Sequence, residues 1–149
     1  MRPIDPELFA ARAEQLRVRL AEEDTIYSRL LPRILSCDSE IPAVTVAFPI
    51  LPWELNGNGV VNGGVSATMM DAVMGTLSYA ITGGFTPTIS LNLSYLRPVP
   101  AEGTMLVRAT ATMAGRTVIC VSGELWDQRD PDRLLVTAQG VFRNMASAE

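Results

Sequence analysis

The 149-residue chain contains no histidine, no lysine and only two cysteines, so all twelve of its basic residues are arginine. Without histidine, no side chain has an ordinary pKa near neutrality, which excludes mechanisms that need an imidazole as acid or base. Cys37 and Cys120 stand far apart, without ligand-like spacing and with no histidine to join them, so they read as inert core thiols rather than a metal site. The arginines form no clustered stripe and the net charge is −4. That argues against nucleic acid, because neutralising phosphates takes concentrated positive charge. A few placed arginines still suffice for a small anionic ligand. No apolar run reaches the roughly 18 residues needed to span a bilayer. The N-terminal "MRPIDPELFAARAEQLRVRLAEE" has no apolar core followed by small residues. The expectation is a soluble, cytoplasmic protein that touches no membrane.

What the chain does have is 48% hydrophobic residues, enough for the core of one domain. Asp5-Pro6 is a helix start, since Asp caps free amides and Pro fits the first turn. Phe9, Ala13, Leu16 and Leu20 then recur at helical spacing. A helix ending by Pro32 follows, with a further turn or two carrying Ile26, Tyr27 and Leu30; it covers a core or a partner, or forms a lid over a ligand tunnel. The organisation expected is a helical N-terminal segment over residues 1–37 and a single domain over 38–149.

Val44, Val46 and Phe48 alternate as a first strand, and "PILPWELNGNG" reads as a loop. From Val61 to Ile81 the apolar content is high on nearly every face, so this helix must be buried on most sides. Ile89 to Tyr95, "TMLVRATATMA", "RTVICVSGELW" and "RLLVTAQGVFRNM" read as four consecutive strands of an antiparallel meander. The fold class is α+β, with a sheet of about five strands wrapped around one central helix.

The stretch "NGNGVVNGGVSATMMDAVMG" carries the chemistry. Gly63 and Gly64 have no side chains, and the first amides of a helix lack internal partners, so the pair is either a tight turn or a donor site for an oxyanion. Asp71 is a poor helix-interior residue with no Lys or Arg within a turn or two. It is either a structural acid accepting bonds from Thr68 or from a distant Arg or backbone amide, or a working carboxylate. Eight helical residues separate Gly63 from Asp71 by about 12 Å. Groups acting on one carbonyl must each lie within about 3 to 3.5 Å of it. One helix does not easily supply both, but two helices related by a two-fold axis do.

This stretch, with "TISLNLSYLRPVP" and "AGRTV", resembles the hotdog-fold acyl-CoA thioesterases of the phenylacetate-degradation and 4-hydroxybenzoyl-CoA thioesterase kind, over roughly residues 40 to 145. The resemblance implies a hotdog fold, an antiparallel sheet wrapped around a long central helix, here with an extra N-terminal helix. It implies edge-to-edge homodimers that pair into dimers of dimers. It implies hydrolysis of an aryl- or medium-chain acyl-CoA to the free acid and CoA, with CoA present only as part of the substrate and no metal. By the same resemblance Gly63 presents its amide to the thioester carbonyl, and Asp71 of the opposite subunit is general base or nucleophile. Asn56 contacts the thioester or the lytic water, and Thr88 orients water. Asn62 and Gly64 complete the substrate-binding turn, and Arg97 and Arg116 are candidates for CoA phosphates or are solvated surface residues. Trp53, Tyr79 and the methionines 69, 70 and 74 line an acyl pocket or simply fill core.

One position departs from the family pattern: the usual His-Gly-Gly reads Asn62-Gly63-Gly64 here. Asn donates and accepts hydrogen bonds but takes up no proton near neutral pH. The alternative reading this raises is a non-catalytic acyl-CoA or lipid-ligand-binding protein. Hydratase chemistry, which relies on a His paired with an acid, is disfavoured.

Overall fold

The computed structural model describes residues 4–146. Helix α1 (Pro6–Ala21) begins where Asp5 Oδ1 accepts the Leu8 N–H at 2.9 Å, and it buries Phe9 and Ala13. A single-turn helix, α2 (Ile26–Arg29), is capped by Thr25 and buries Tyr27. The strands are β1 (Arg33–Asp38), β2 (Ala43–Pro49), β3 (Thr88–Tyr95), β4 (Thr104–Ala114), β5 (Val118–Asp127) and β6 (Leu134–Arg143). All pair antiparallel in one six-stranded sheet of order β1-β2-β4-β5-β6-β3.

Helix α3 (Gly63–Thr82) lies in the curve of this sheet. Met69, Met70, Val73, Met74, Leu77 and Ala80 are fully buried, so the three methionines fill core. The helix fits so closely because two facing strand positions are glycine. A Cβ at Gly123 would come within 3.1 Å of the Met70 and Met74 sulfurs, and one at Gly140 within 2.7 Å of Met74 Cε. The polar residues of α3 enter this core by bonding backward along their own helix: Thr76 Oγ1 donates to Ala72 O at 2.8 Å and Ser78 Oγ to Met74 O at 2.9 Å.

The structure differs from the sequence expectation in two places. Six strands form rather than about five, because "RILSCD" is strand β1, which crosses the expected boundary at residue 37. As an edge strand, half exposed along its length, it shows no clear apolar alternation to read. The meander runs through β4, β5 and β6 only, and β3 lies beyond β6 instead of beside β4. The Pro-containing link after β3 is no hairpin. It crosses the end of the sheet, with the Leu96 and Arg97 amides donating to Leu135 O, Val99 O accepting from Val61 N–H, and Gly103 O accepting from Ile50 N–H.

The far end of α3 is closed by Gly83 at φ 72°, whose N–H donates to Tyr79 O at 2.7 Å. Arg12 from α1 lies over this glycine and donates to the Ala80 and Ile81 carbonyls at 3.3 and 3.4 Å. A side chain here meets both the left-handed backbone penalty and the guanidinium. Gly83→Ala is expected to lower stability by about 1–2 kcal/mol, measured by urea denaturation, and to loosen α1 from α3.

Candidate active site

The turn into α3 is built by local hydrogen bonding. Asn56 Oδ1 accepts from Asn58 N–H at 2.9 Å and Val60 N–H at 3.4 Å, which shapes the loop. Leu55 and Val61 then form an isolated bridge, and Asn62 N–H donates to Glu54 O at 2.8 Å. Asn62 is the N-cap: its Oδ1 accepts the Gly64 N–H at 2.8 Å, and its carbonyl accepts from Val65 and Ser66. Of the two glycine amides, Gly64's is thus committed to the cap. That of Gly63 has no partner among the described residues. Tyr95, at the end of β3, pins the same turn by donating its hydroxyl to Gly63 O at 2.6 Å.

Asp71 is half-buried, two turns further along α3. Thr68 does not bond it; that hydroxyl donates to Gly64 O at 2.9 Å. Its partner is Thr88 at the start of β3, whose Oγ1 donates to Asp71 Oδ1 at 2.7 Å across 17 residues. Both line a cavity of about 330 Å³ between α3, α1, α2 and the segment before β3. Tyr79 lines it too, whereas Trp53 faces a separate surface groove with Ile26 and Leu31.

The structure brings Asp71 and Thr88 together and leaves Gly63 at the other end of the helix's first two turns. Within one chain, Arg97 and Arg116 are also far apart. Arg97 follows β3 near the start of β6, where its Nη1 donates to Leu134 O at 2.6 Å, and Arg116 lies in the β4–β5 turn at the opposite end of the sheet. Two residues that position the site carry no sequence signal. Tyr95 reaches Gly63 from 32 residues away, a separation that no periodicity reveals. Glu54 is fully buried under the N-cap, with Oε2 accepting from Leu51 N–H at 3.3 Å and Oε1 unpartnered.

These observations define a class of protein: a curved antiparallel sheet around one helix, with an open amide at the helix start and a hydroxyl-bonded carboxylate beside an apolar cavity. Residues 58–134 match the sequence model of the thioesterase superfamily. Among solved structures, a Ralstonia eutropha JMP134 protein related to phenylacetic acid degradation is 28% identical, with a TM-score of 0.74 over 85% of this chain and 98% of its own. The E. coli PaaI protein from the phenylacetic acid degradation operon is 18% identical, with a TM-score of 0.79 over 92% of this chain and 96% of its own. A Streptococcus mutans UA159 protein bound to acetyl-CoA is 20% identical, with a TM-score of 0.68 over 75% of this chain and 86% of its own. No curated protein sequence matches significantly. The fold is the hotdog fold, and the chain belongs to the thioesterase superfamily, a family of thioester hydrolases.

Burial pushes the Glu54 carboxyl above its ordinary value of 4.5, against the opposing pull of the Leu51 amide. Its folded-state pKa is raised, so the stability it contributes is present below about pH 4.5 and is lost as pH rises through the folded value. Glu54→Gln removes that loss. Its melting temperature is expected to exceed the parent's at pH 7 and to equal it at pH 4, measured by thermal denaturation across that range.

Proposed function

We propose that the chain is an acyl-CoA thioesterase whose sites are shared across a homodimer, acting on an aryl- or medium-chain acyl-CoA. The observation that carries this reading is the pair of tethers on β3. Thr88 at its start holds Asp71, and Tyr95 at its end holds the Gly63 turn. β3 is an edge strand, and Ile89 and Tyr95 on it are more than half exposed. An unpaired edge of this length is a template for another strand. If β3 pairs antiparallel with its own copy about a two-fold axis, the Thr88 end of one strand meets the Tyr95 end of the other. Asp71 then faces Gly63 of the partner subunit, and the roughly 12 Å that separates the two on one helix is bridged by symmetry.

In this arrangement the thioester carbonyl oxygen accepts the open Gly63 amide, which strengthens as negative charge develops on that oxygen. Asp71 takes a proton from water as the water's oxygen bonds to the carbonyl carbon. The tetrahedral intermediate then expels the CoA sulfur, which leaves with that proton as the thiol. Thr88, donating to one Asp71 oxygen, holds the carboxylate and leaves the other oxygen for the water. The free NH₂ of Asn56 serves the carbonyl or the water. Arg97 and Arg116, at opposite ends of one sheet, contact a single CoA only when drawn from different subunits.

Asn62 in place of histidine favours ligand binding without turnover only if that position must move a proton. Its side chain is a cap on Gly64, a role that needs no titration. Two variants test the catalytic reading. Asp71→Asn is expected to lower thiol release by about 10²–10⁴-fold with the dimer intact. Gly63→Pro removes the open amide and puts a ring carbon in its place, closing that point to a carbonyl oxygen. The backbone accepts it, since proline is favoured at the first helical position, the extended Asn62 (φ −59°, ψ 135°) suits a following proline, and a Cβ there lies 3.4 Å from Tyr95, in ordinary contact. It is expected to fold normally and to lose about 10²–10³-fold in kcat. Parent-like rates in both variants, measured by thiol release over an acyl-CoA panel, would contradict the mechanism.

A further inference from the structure

The cavity beside Asp71 has two unlike ends. Asp71 and Thr88 occupy one. Its walls are apolar, from Leu16, Leu20, Ala72, Gly75 and Phe142. At the other end, eight residues and about 12 Å further along α3, lies Tyr79, with the Arg19 guanidinium of α1 5.9 Å from its ring centroid. Tyr27 of α2, 6% exposed, also lines the cavity, but its hydroxyl is sealed away from it against Thr76. Arg19 has no ion-pair partner among the described residues, although Glu22 and Glu23 follow one turn later. Among the described residues it is the only cationic one lining the cavity. The Tyr79 hydroxyl likewise takes no partner among those residues.

Two donors, the Arg19 guanidinium and the Tyr79 hydroxyl, thus face the end of a cavity whose other end holds the carboxylate. An acyl group ending in a methyl would strip water from them and return nothing, a strong basis for discrimination. A tail ending in a carboxylate would accept from the Tyr79 hydroxyl and pair with Arg19. At a water's share of about 30 Å³ each, the cavity holds about ten non-hydrogen atoms, the size of a medium-length tail with a carboxylate at its tip.

Resting on the thioesterase reading above, we propose that the substrate is a medium-chain dicarboxylic acid joined to CoA through one carboxyl, and that Arg19 and Tyr79 select it by its free carboxylate. Arg19 lies in α1, outside the residues 58–134 matched by the superfamily. The charge that selects is therefore a property of this chain's N-terminal segment and not of the shared site.

The test compares octanedioyl-CoA with octanoyl-CoA on the full-length protein, Arg19→Gln and Tyr79→Phe. The parent is expected to favour octanedioyl-CoA in kcat/KM by at least about tenfold. Each variant is expected to lower kcat/KM for that ester by about five- to tenfold and to leave kcat/KM for octanoyl-CoA at or above the parent's. Tyr79→Phe keeps the ring under Arg19 and breaks no hydrogen bond among the described residues, so it is expected to melt no lower than the parent and a loss of activity is not a loss of fold. Equal use of both esters by the parent, or a variant that slows both alike, would overturn the proposal. If neither ester releases thiol, the medium-chain part of the thioesterase reading fails on its own, and calorimetric Kd values for the two esters decide the specificity. Tighter binding of octanedioyl-CoA that is lost in Arg19→Gln supports it, and equal binding overturns it.

Discussion

A rigid helix keeps Gly63 and Asp71 about 12 Å apart, and the organisation of the site follows from that distance. The helix cannot bend to bring them closer, because its methionines and leucine are locked into the sheet and two glycines on the facing strands admit it at van der Waals contact. An open donor and a held acid are therefore displayed at fixed positions, each tied to one end of the same edge strand. The core that stabilises the fold also fixes the spacing of the two groups, and in the proposed dimer the unpaired edge of β3 re-joins them across two copies.

The start of α3 shows how one helix amide is kept open in a chain without histidine. A helix N-terminus exposes amides that usually find caps or water. Here Asn62 accepts from Gly64, its carbonyl takes the next two amides, and Glu54 holds the Asn62 peptide from below. The single amide left over is that of Gly63. Asn62 does this by geometry alone, so the loss of a titratable group at that position removes no step from a mechanism whose only proton acceptor is Asp71. The buried Glu54 is the cost of this arrangement, a carboxyl held out of water with one oxygen unpartnered.

Much of this was legible in the chain because it was local. The cap at Asp5, the all-round apolar helix and the Gly-Gly to Asp spacing depend on neighbours within a turn or two, and they appear where the pattern put them, whereas the helix begins two residues after the expected Val61 because Asn62 caps it. What was missed depends on partners distant in sequence. β1 is recognisable as a strand only through its pairing with β2, since its exposed edge residues show no alternation. The placement of β3 beside β6 depends on a link that crosses the sheet end, and its Pro and Gly content looks the same as that of a hairpin turn. The Thr88 bond to Asp71 and the Tyr95 bond to Gly63 span 17 and 32 residues. Thr88 was anticipated only through family resemblance, and Tyr95 not at all.

The claim that one site draws on two chains is tested most directly by mixing two inactive ones. Differently tagged Asp71→Asn and Gly63→Pro chains are co-expressed, and dimers carrying both tags are purified and assayed for thiol release. If the amide and the acid come from different subunits, one of the two sites in such a dimer is fully intact, and about half the parent activity returns. If each site is built from a single chain, both sites are broken, and the mixed dimer stays as inactive as either variant alone.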